Sequence, residues 1–163
     1  GNSASSDGGG TYASTLYNCT LTDNSAGSGG GASGSSGNPS TLYNCALAGN
    51  SAQYFGGGAY LCTLYNCTLI GNSTANGGGA LCSTLWNCFL AGNQATFGGG
   101  ANDSMLYNCT LTGNKGACCA GDDGRASHRT SRGPVPPGVA GRAPRGSRCL
   151  GGRRAATSRP RTR

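Results

Sequence analysis

The feature that most constrains this chain is a five-residue phrase that returns at nearly constant intervals. Thr15-Leu16-Tyr17-Asn18-Cys19 recurs as Thr41-Leu42-Tyr43-Asn44-Cys45, Thr63-Leu64-Tyr65-Asn66-Cys67, Thr84-Leu85-Trp86-Asn87-Cys88 and Met105-Leu106-Tyr107-Asn108-Cys109. Eight residues after each Leu stands an Asn, at Asn24, Asn50, Asn72, Asn93 and Asn114. A glycine triplet then follows at 29–31, 56–58, 77–79 and 98–100, and another at 8–10 precedes the first phrase. Successive Leu residues lie 26, 22, 21 and 21 positions apart. Such a period marks repeats that each form one structural unit stacked on the next.

Period and composition together choose the unit. Helical repeats need about 33 residues or more for a helix pair. Before Lys115 there is no Glu, Lys or Arg to support a helix, and each interior Gly would cost one about 1 kcal/mol. Gly accounts for 32 of 163 residues, but no Gly-X-Y period exists, which excludes collagen. Leucine-rich repeats share the length range but require a Leu-x-x-Leu-x-Leu core, and the hydrophobic positions here are too few. These residues predict an all-β fold, a parallel β-helix (solenoid) of about five coils over residues 1–114, with strands stacked about 4.8 Å apart.

Within a coil, strand alternation points Leu16 inward and Tyr17 outward. Asn18 interrupts the alternation at a corner, because Asn tolerates the left-handed region. Cys19 and Leu21 then face inward again, with Thr20 outward. Gly49, Gly71, Gly92 and Gly113, and Asp23 in the first coil, occupy a second turn position that needs unusual backbone angles. The repeated Asn can stack into hydrogen-bonded ladders. Between Gly31 and Leu42 the spacing is five residues longer than elsewhere, so Ala32 to Pro39, rich in Ser and Gly, is expected to be a surface loop.

The combination of Gly-Gly-Gly-Ala with Leu-x-x-Asn, as in Leu21 to Asn24, Leu47 to Asn50, Leu69 to Asn72, Leu90 to Asn93 and Leu111 to Asn114, resembles the Gly-Gly-Ala-Ile and Phe-x-x-Asn repeats of polymorphic outer membrane proteins. More broadly, it resembles the right-handed parallel β-helix repeat proteins. The likeness covers about 70% of the chain. It implies a secreted protein or one on the bacterial cell surface or outer membrane, of passenger or adhesin-like type. Gly1-Asn2-Ser3-Ala4 aligns with Gly49-Asn50-Ser51-Ala52, so the chain is expected to be a fragment that starts inside a coil, with strand edges that self-associate.

Charge divides the chain. Residues 1–114 carry Asp7, Asp23 and Asp103 and no basic residue, a net of −3, whereas residues 115–163 carry all 12 Lys and Arg against Asp122 and Asp123, a net of +10. This Arg/Pro/Gly-rich segment lacks aromatic residues, which argues against base stacking and nucleic-acid binding. It is expected to be a tail without fixed structure, either out-of-frame or a natural linker. No apolar run is long enough for a transmembrane helix.

The chemistry-bearing residues are few. Cys19, Cys45, Cys67, Cys88 and Cys109 share one repeat position. Parallel Cβ vectors do not suit a disulfide, so this row is expected to be reduced and buried. No Cys-x₂-Cys pair suggests zinc. Glycoside hydrolysis usually needs two opposed carboxylates, but the three Asp residues of the repeats fall at three different repeat positions. No catalytic residue, cofactor or metal is therefore assigned. Tyr17, Tyr43, Tyr65, Trp86 and Tyr107 share one outward position and form a candidate contact row for glycan or protein, about 19 Å long at about 4.8 Å per rung. The competing reading is that stacked rings simply stabilise the sheet. The expected function is a non-enzymatic surface-exposed or secreted stalk or adhesin-like module. The rival is a piece of a β-helical polysaccharide lyase or glycoside hydrolase whose catalytic coils lie elsewhere.

Overall fold

The computed structural model describes residues 1–118. These residues form a parallel β-solenoid of about five coils, and no helix occurs among them. Each coil lays one short strand on each of four five-stranded sheets. The first sheet stacks Thr11–Tyr12, Ala32–Ser33, Ala59–Tyr60, Ala80–Leu81 and Ala101–Asn102. The second stacks Thr15–Tyr17, Ser40–Tyr43, Cys62–Tyr65, Thr84–Trp86 and Met105–Tyr107. The third contains Thr20–Thr22, Ala46–Ala48, Thr68–Ile70, Phe89–Ala91 and Thr110–Thr112, and the fourth Ser25–Ser28, Ser51–Phe55, Ser73–Asn76, Gln94–Phe97 and Lys115–Cys118.

Four strands per coil need four corners, and each corner is turned by one residue in the left-handed region. Asn18, Asn44, Asn66, Asn87 and Asn108 turn the chain from the second sheet to the third, with φ between 50 and 54°. Asp23 (φ 54°) and the aligned Gly49 to Gly113 turn it from the third to the fourth. Both corners are as expected from the residue types. The first glycine of each triplet makes the next corner. The last corner is less legible: Ala13, Leu61, Cys82 and Asp103 take φ of 44–52°, although Ala, Leu and Cys pay a steric penalty there.

The interior is narrow. Leu42, Leu64 and Leu85 on the second sheet and Leu47, Leu69 and Leu90 on the third are fully buried, with Ala32, Ala59 and Ala80 opposite. Each buried Leu contributes about 1.5–3 kcal/mol. Small residues line the remaining sides because the triplets pass close to the next coil. A Cβ on Gly57 would sit 2.5 Å from the Ser73 carbonyl oxygen and 2.6 Å from that of Gly78. The triplet is therefore both a turn and a close contact between backbones.

The two Asn rows have different surroundings. Asn24, Asn50, Asn72, Asn93 and Asn114 are buried. Along the row from Asn24 to Asn93, each side-chain amide donates to Oδ1 of the next at 2.9–3.0 Å. The same Oδ1 also accepts the backbone N–H of the preceding Asn. The Asn18 row forms an exposed ladder running the opposite way.

Two boundaries need correction. Ala32–Ser33 is a buried strand of the first sheet rather than surface loop, and Gly34 behind it is buried. Only residues 35–39 leave the coil, because Ser40 pairs with Cys62 and so restores the register after five residues. The solenoid also continues past Asn114: Lys115–Cys118 pairs with Gln94–Phe97. Backbone ladders do not require a repeating side-chain pattern, which is why the lost period hid this strand. The rest of the segment assigned to a tail lies outside the described residues. The spacing of 22 between Leu42 and Leu64 has a local cause, since Ser51–Phe55 carries one residue more than its neighbours and shifts the register on both sides.

Candidate functional site: an aromatic row and a thiol row

Tyr17, Tyr43, Tyr65, Trp86 and Tyr107 end the five strands of the second sheet and pair in register. Their rings lie on its outer face, since the preceding Leu of each strand points into the core. Tyr17 stacks on Tyr43 with centroids 4.8 Å apart and planes 6° apart, and Tyr43 on Tyr65 at 4.9 Å and 6°. Trp86 stacks on Tyr107 at 3.9 Å. Tyr17 is 61% exposed and the other four rings are half-buried by their neighbours. Burial, with the adjacent Tyr65 and Tyr17 phenols, pushes the Tyr43 hydroxyl above its ordinary pKa. The arrangement is a flat aromatic strip bordered by the Asn18 ladder, with polar hydroxyls and amides along its edge. Strips of this composition stack against apolar faces and hydrogen-bond at their margin.

A second aromatic cluster escaped the sequence reading. Phe55 lies 5.6 Å from Tyr60 and 6.4 Å from Tyr54, ring to ring, across the 56–58 triplet. Its signal was present, since Phe55 and Phe97 both immediately precede a triplet. Their common position pairs Ser28, Phe55, Asn76 and Phe97, with Asp7 bridged to Ser28. Burial and then the Asp7 charge raise the Tyr60 hydroxyl above its ordinary pKa.

The cysteine row is a ladder inside the coil. Cys45, Cys67 and Cys88 are buried with free thiols, as expected. Cys19 and Cys109 are free but only half-buried. Beneath Cys19, residues 1–12 lay strands only under the fourth and first sheets, so nothing among the described residues covers it. The backbone N–H of Cys19 donates to the Cys45 sulfur at 3.4 Å, that of Cys45 to Cys67, and that of Cys88 to Cys109. Each inner thiol donates to the carbonyl two residues earlier, as Cys67 does to Tyr65 at 3.3 Å.

The neighbours set the acidities. Hydrogen bonding with Cys109 and Cys67, and then burial, pushes Cys88 up, whereas the Cys88 thiol donating to Cys109 holds that sulfur down to about 7. Cys62, one strand position before Thr63, is pushed up to about 12 by burial. We expect Cys109 to be alkylated first on the folded protein, its rate rising through about pH 7 as the thiolate forms, while Cys62 and Cys88 react only on unfolding. Peptide mapping after timed iodoacetamide labelling measures this. Labelling of all six free thiols at one rate would contradict it.

The three carboxylates do not converge on one another. Asp23 and Asp103 occupy left-handed corners on different sides of the coil, and Asp7 is bridged into the fourth sheet. Among the described residues, no three His, Cys, Asp or Glu side chains are placed to hold one metal ion. The fold and its surface together define the class, a β-solenoid repeat protein with an exposed aromatic strip and an internal thiol ladder. No protein-family model, curated protein or solved structure matches the chain.

Proposed function

We propose that this chain is a non-enzymatic repeat segment of a secreted or surface-exposed protein, a stalk or adhesin-like module whose aromatic row contacts extended glycans. The observation that carries the reading is the row itself. Sheet stability alone would accept Val, Ile or Thr at that position, yet every complete repeat places a large ring there. Coplanar rings at rung spacing match the repeating apolar faces of a linear polymer better than a compact ligand.

The likeness to polymorphic outer membrane protein repeats supports the surface assignment as analogy. The residues that carry it, the glycine triplets and the inner Asn row, serve the stacking of coils, so they speak to architecture before activity. The absence of a catalytic assignment rests on the separation of Asp7, Asp23 and Asp103 around the coil.

The test is a Tyr65→Thr/Trp86→Thr double variant on a glycan array, with binding then quantified by calorimetry. Wild type is expected to bind weakly and to keep its affinity in high salt, because no basic side chain lies in residues 1–114. The double variant is expected to lose about tenfold or more, a change of about 1.4 kcal/mol, while its β-sheet circular dichroism persists. Unfolding of the variant would make the row structural. A folded variant with an unchanged array profile would defeat the glycan reading.

A further inference from the structure

The thiol ladder has a geometry that its structural role does not require. Cys19, Cys45, Cys67, Cys88 and Cys109 are free thiols in one row, stacked at the rung spacing of the solenoid. The neighbouring ring row gives that spacing as 4.8–4.9 Å where the rings are coplanar. Two sulfurs joined through one metal ion in a straight line lie two metal–sulfur bonds apart, about 4.6 Å at roughly 2.3 Å per bond. The spacing is too long for a disulfide, whose sulfurs lie roughly 2.0 Å apart, and close to that of a linear bridge. A tetrahedral ion has no place here, since no three ligating side chains converge among the described residues. Side chains that stand perpendicular to their sheet put the axis of such a bridge at a near right angle to each Cβ–Sγ bond, close to the angle a thiolate sulfur prefers.

We infer that the row binds soft, two-coordinate monovalent cations, copper(I) or its analogue silver(I), each bridging the sulfurs of adjacent coils. Thiolate ligands select such ions over hard ones. The surroundings suit the exchange of proton for metal. The Cys67 sulfur donates its hydrogen to the Tyr65 and Leu42 carbonyls at 3.3 and 3.5 Å, and these oxygens would repel a bare thiolate. A cation in the proton's place keeps a positive charge facing them. The backbone N–H groups already directed at the Cys45, Cys67 and Cys109 sulfurs stabilise the thiolate on its other side. The balance is simple: five thiols and four cations give four bridges, five released protons and a net charge of −1 on the row, with no oxidation. Half-buried Cys19 and Cys109 are the points of entry.

Bridging predicts a counting rule that independent binding does not. An internal cysteine takes part in two bridges and a terminal one in a single bridge. The reduced full-length protein is titrated anaerobically with silver(I), followed by thiolate-to-metal absorption and by bound silver after desalting. Cys67→Ser should bind two fewer ions than wild type and Cys109→Ser one fewer, the remaining cysteines of the chain cancelling in the comparison. X-ray absorption at the silver edge should show two sulfur neighbours, and the melting temperature should rise on loading. Loss of one ion in both variants would mean that each thiol binds its own ion, and loss of none would place the silver elsewhere. Either result overturns the proposal, as does unfolding of wild type by silver. If Cys67→Ser does not fold, Cys45→Ser is read in its place under the same rule.

Discussion

Replacing Gly57 with Ala is expected to destabilise the solenoid by roughly 4 kcal/mol or more, in the range reserved for severe packing or strain defects, and to leave little folded protein at 37 °C. The new methyl would lie 2.5 Å from the Ser73 carbonyl oxygen, 2.6 Å from that of Gly78 and 2.7 Å from the Ser73 nitrogen. All three are backbone atoms of the next coil, so no side chain can rotate away. Relief requires parting the coils where Gly57, Gly58 and Ala59 donate to the Gly77, Gly78 and Gly79 carbonyls at 2.9–3.2 Å. Gly92→Ala is the matched control. Its φ of 60° strains a non-glycine residue, but nothing lies within 4 Å of its Cβ, so only the left-handed penalty of about 1–2 kcal/mol is expected. Urea unfolding followed by circular dichroism separates the two. Equal losses would show that the triplets serve backbone freedom alone and that coil contact does not limit them.

The inner Asn row should give the second large effect. Asn72→Leu keeps the volume and removes four hydrogen bonds: two donated to Asn93 and the Leu47 carbonyl, and two accepted from Asn50. The Leu47 carbonyl, the Asn50 backbone N–H and one Asn50 amide hydrogen are left buried without those partners. Each unsatisfied group costs about 1–3 kcal/mol, so a loss of roughly 3–6 kcal/mol is expected. Asn66→Gly is the comparison on the outer row. It breaks two exposed bonds of 3.2 Å yet keeps the left-handed corner at φ 52°, and should cost less than about 1 kcal/mol. A solenoid transmits a defect mainly to adjacent coils. Hydrogen exchange on Asn72→Leu should therefore show protection lost first around Asn50 and Asn93. Similar stability of the two variants would mean that the inner ladder is solvated.

Much of the architecture was readable before any coordinates. The period excluded helical repeats, the strand alternation placed Leu16 and its equivalents inside and Tyr17 outside, and Asn and Gly marked two of the four corners. Each of these rests on a local property of a residue type, repeated often enough to be seen. The aromatic and thiol rows were legible for the same reason. The Phe55–Tyr60 contact was not, because it joins two sheets across a turn and involves one coil rather than a row.

What the sequence determined by itself was the coil length, the direction each repeated side chain faces and the alignment of like residues from coil to coil, since periodicity and backbone preference are properties of the chain alone. What only the tertiary structure decided was how those like residues are used. The two Asn rows read identically, yet one is sealed inside and the other faces solvent, because burial depends on which sheets close around a corner. Leu61 and Cys82 adopt left-handed angles against their own preference, because the ladders of the first and second sheets hold the backbone on both sides of them. Lys115–Cys118 joins the fourth sheet without any repeat signal, because a parallel ladder needs only backbone N–H and C=O groups, which every residue but proline carries in full.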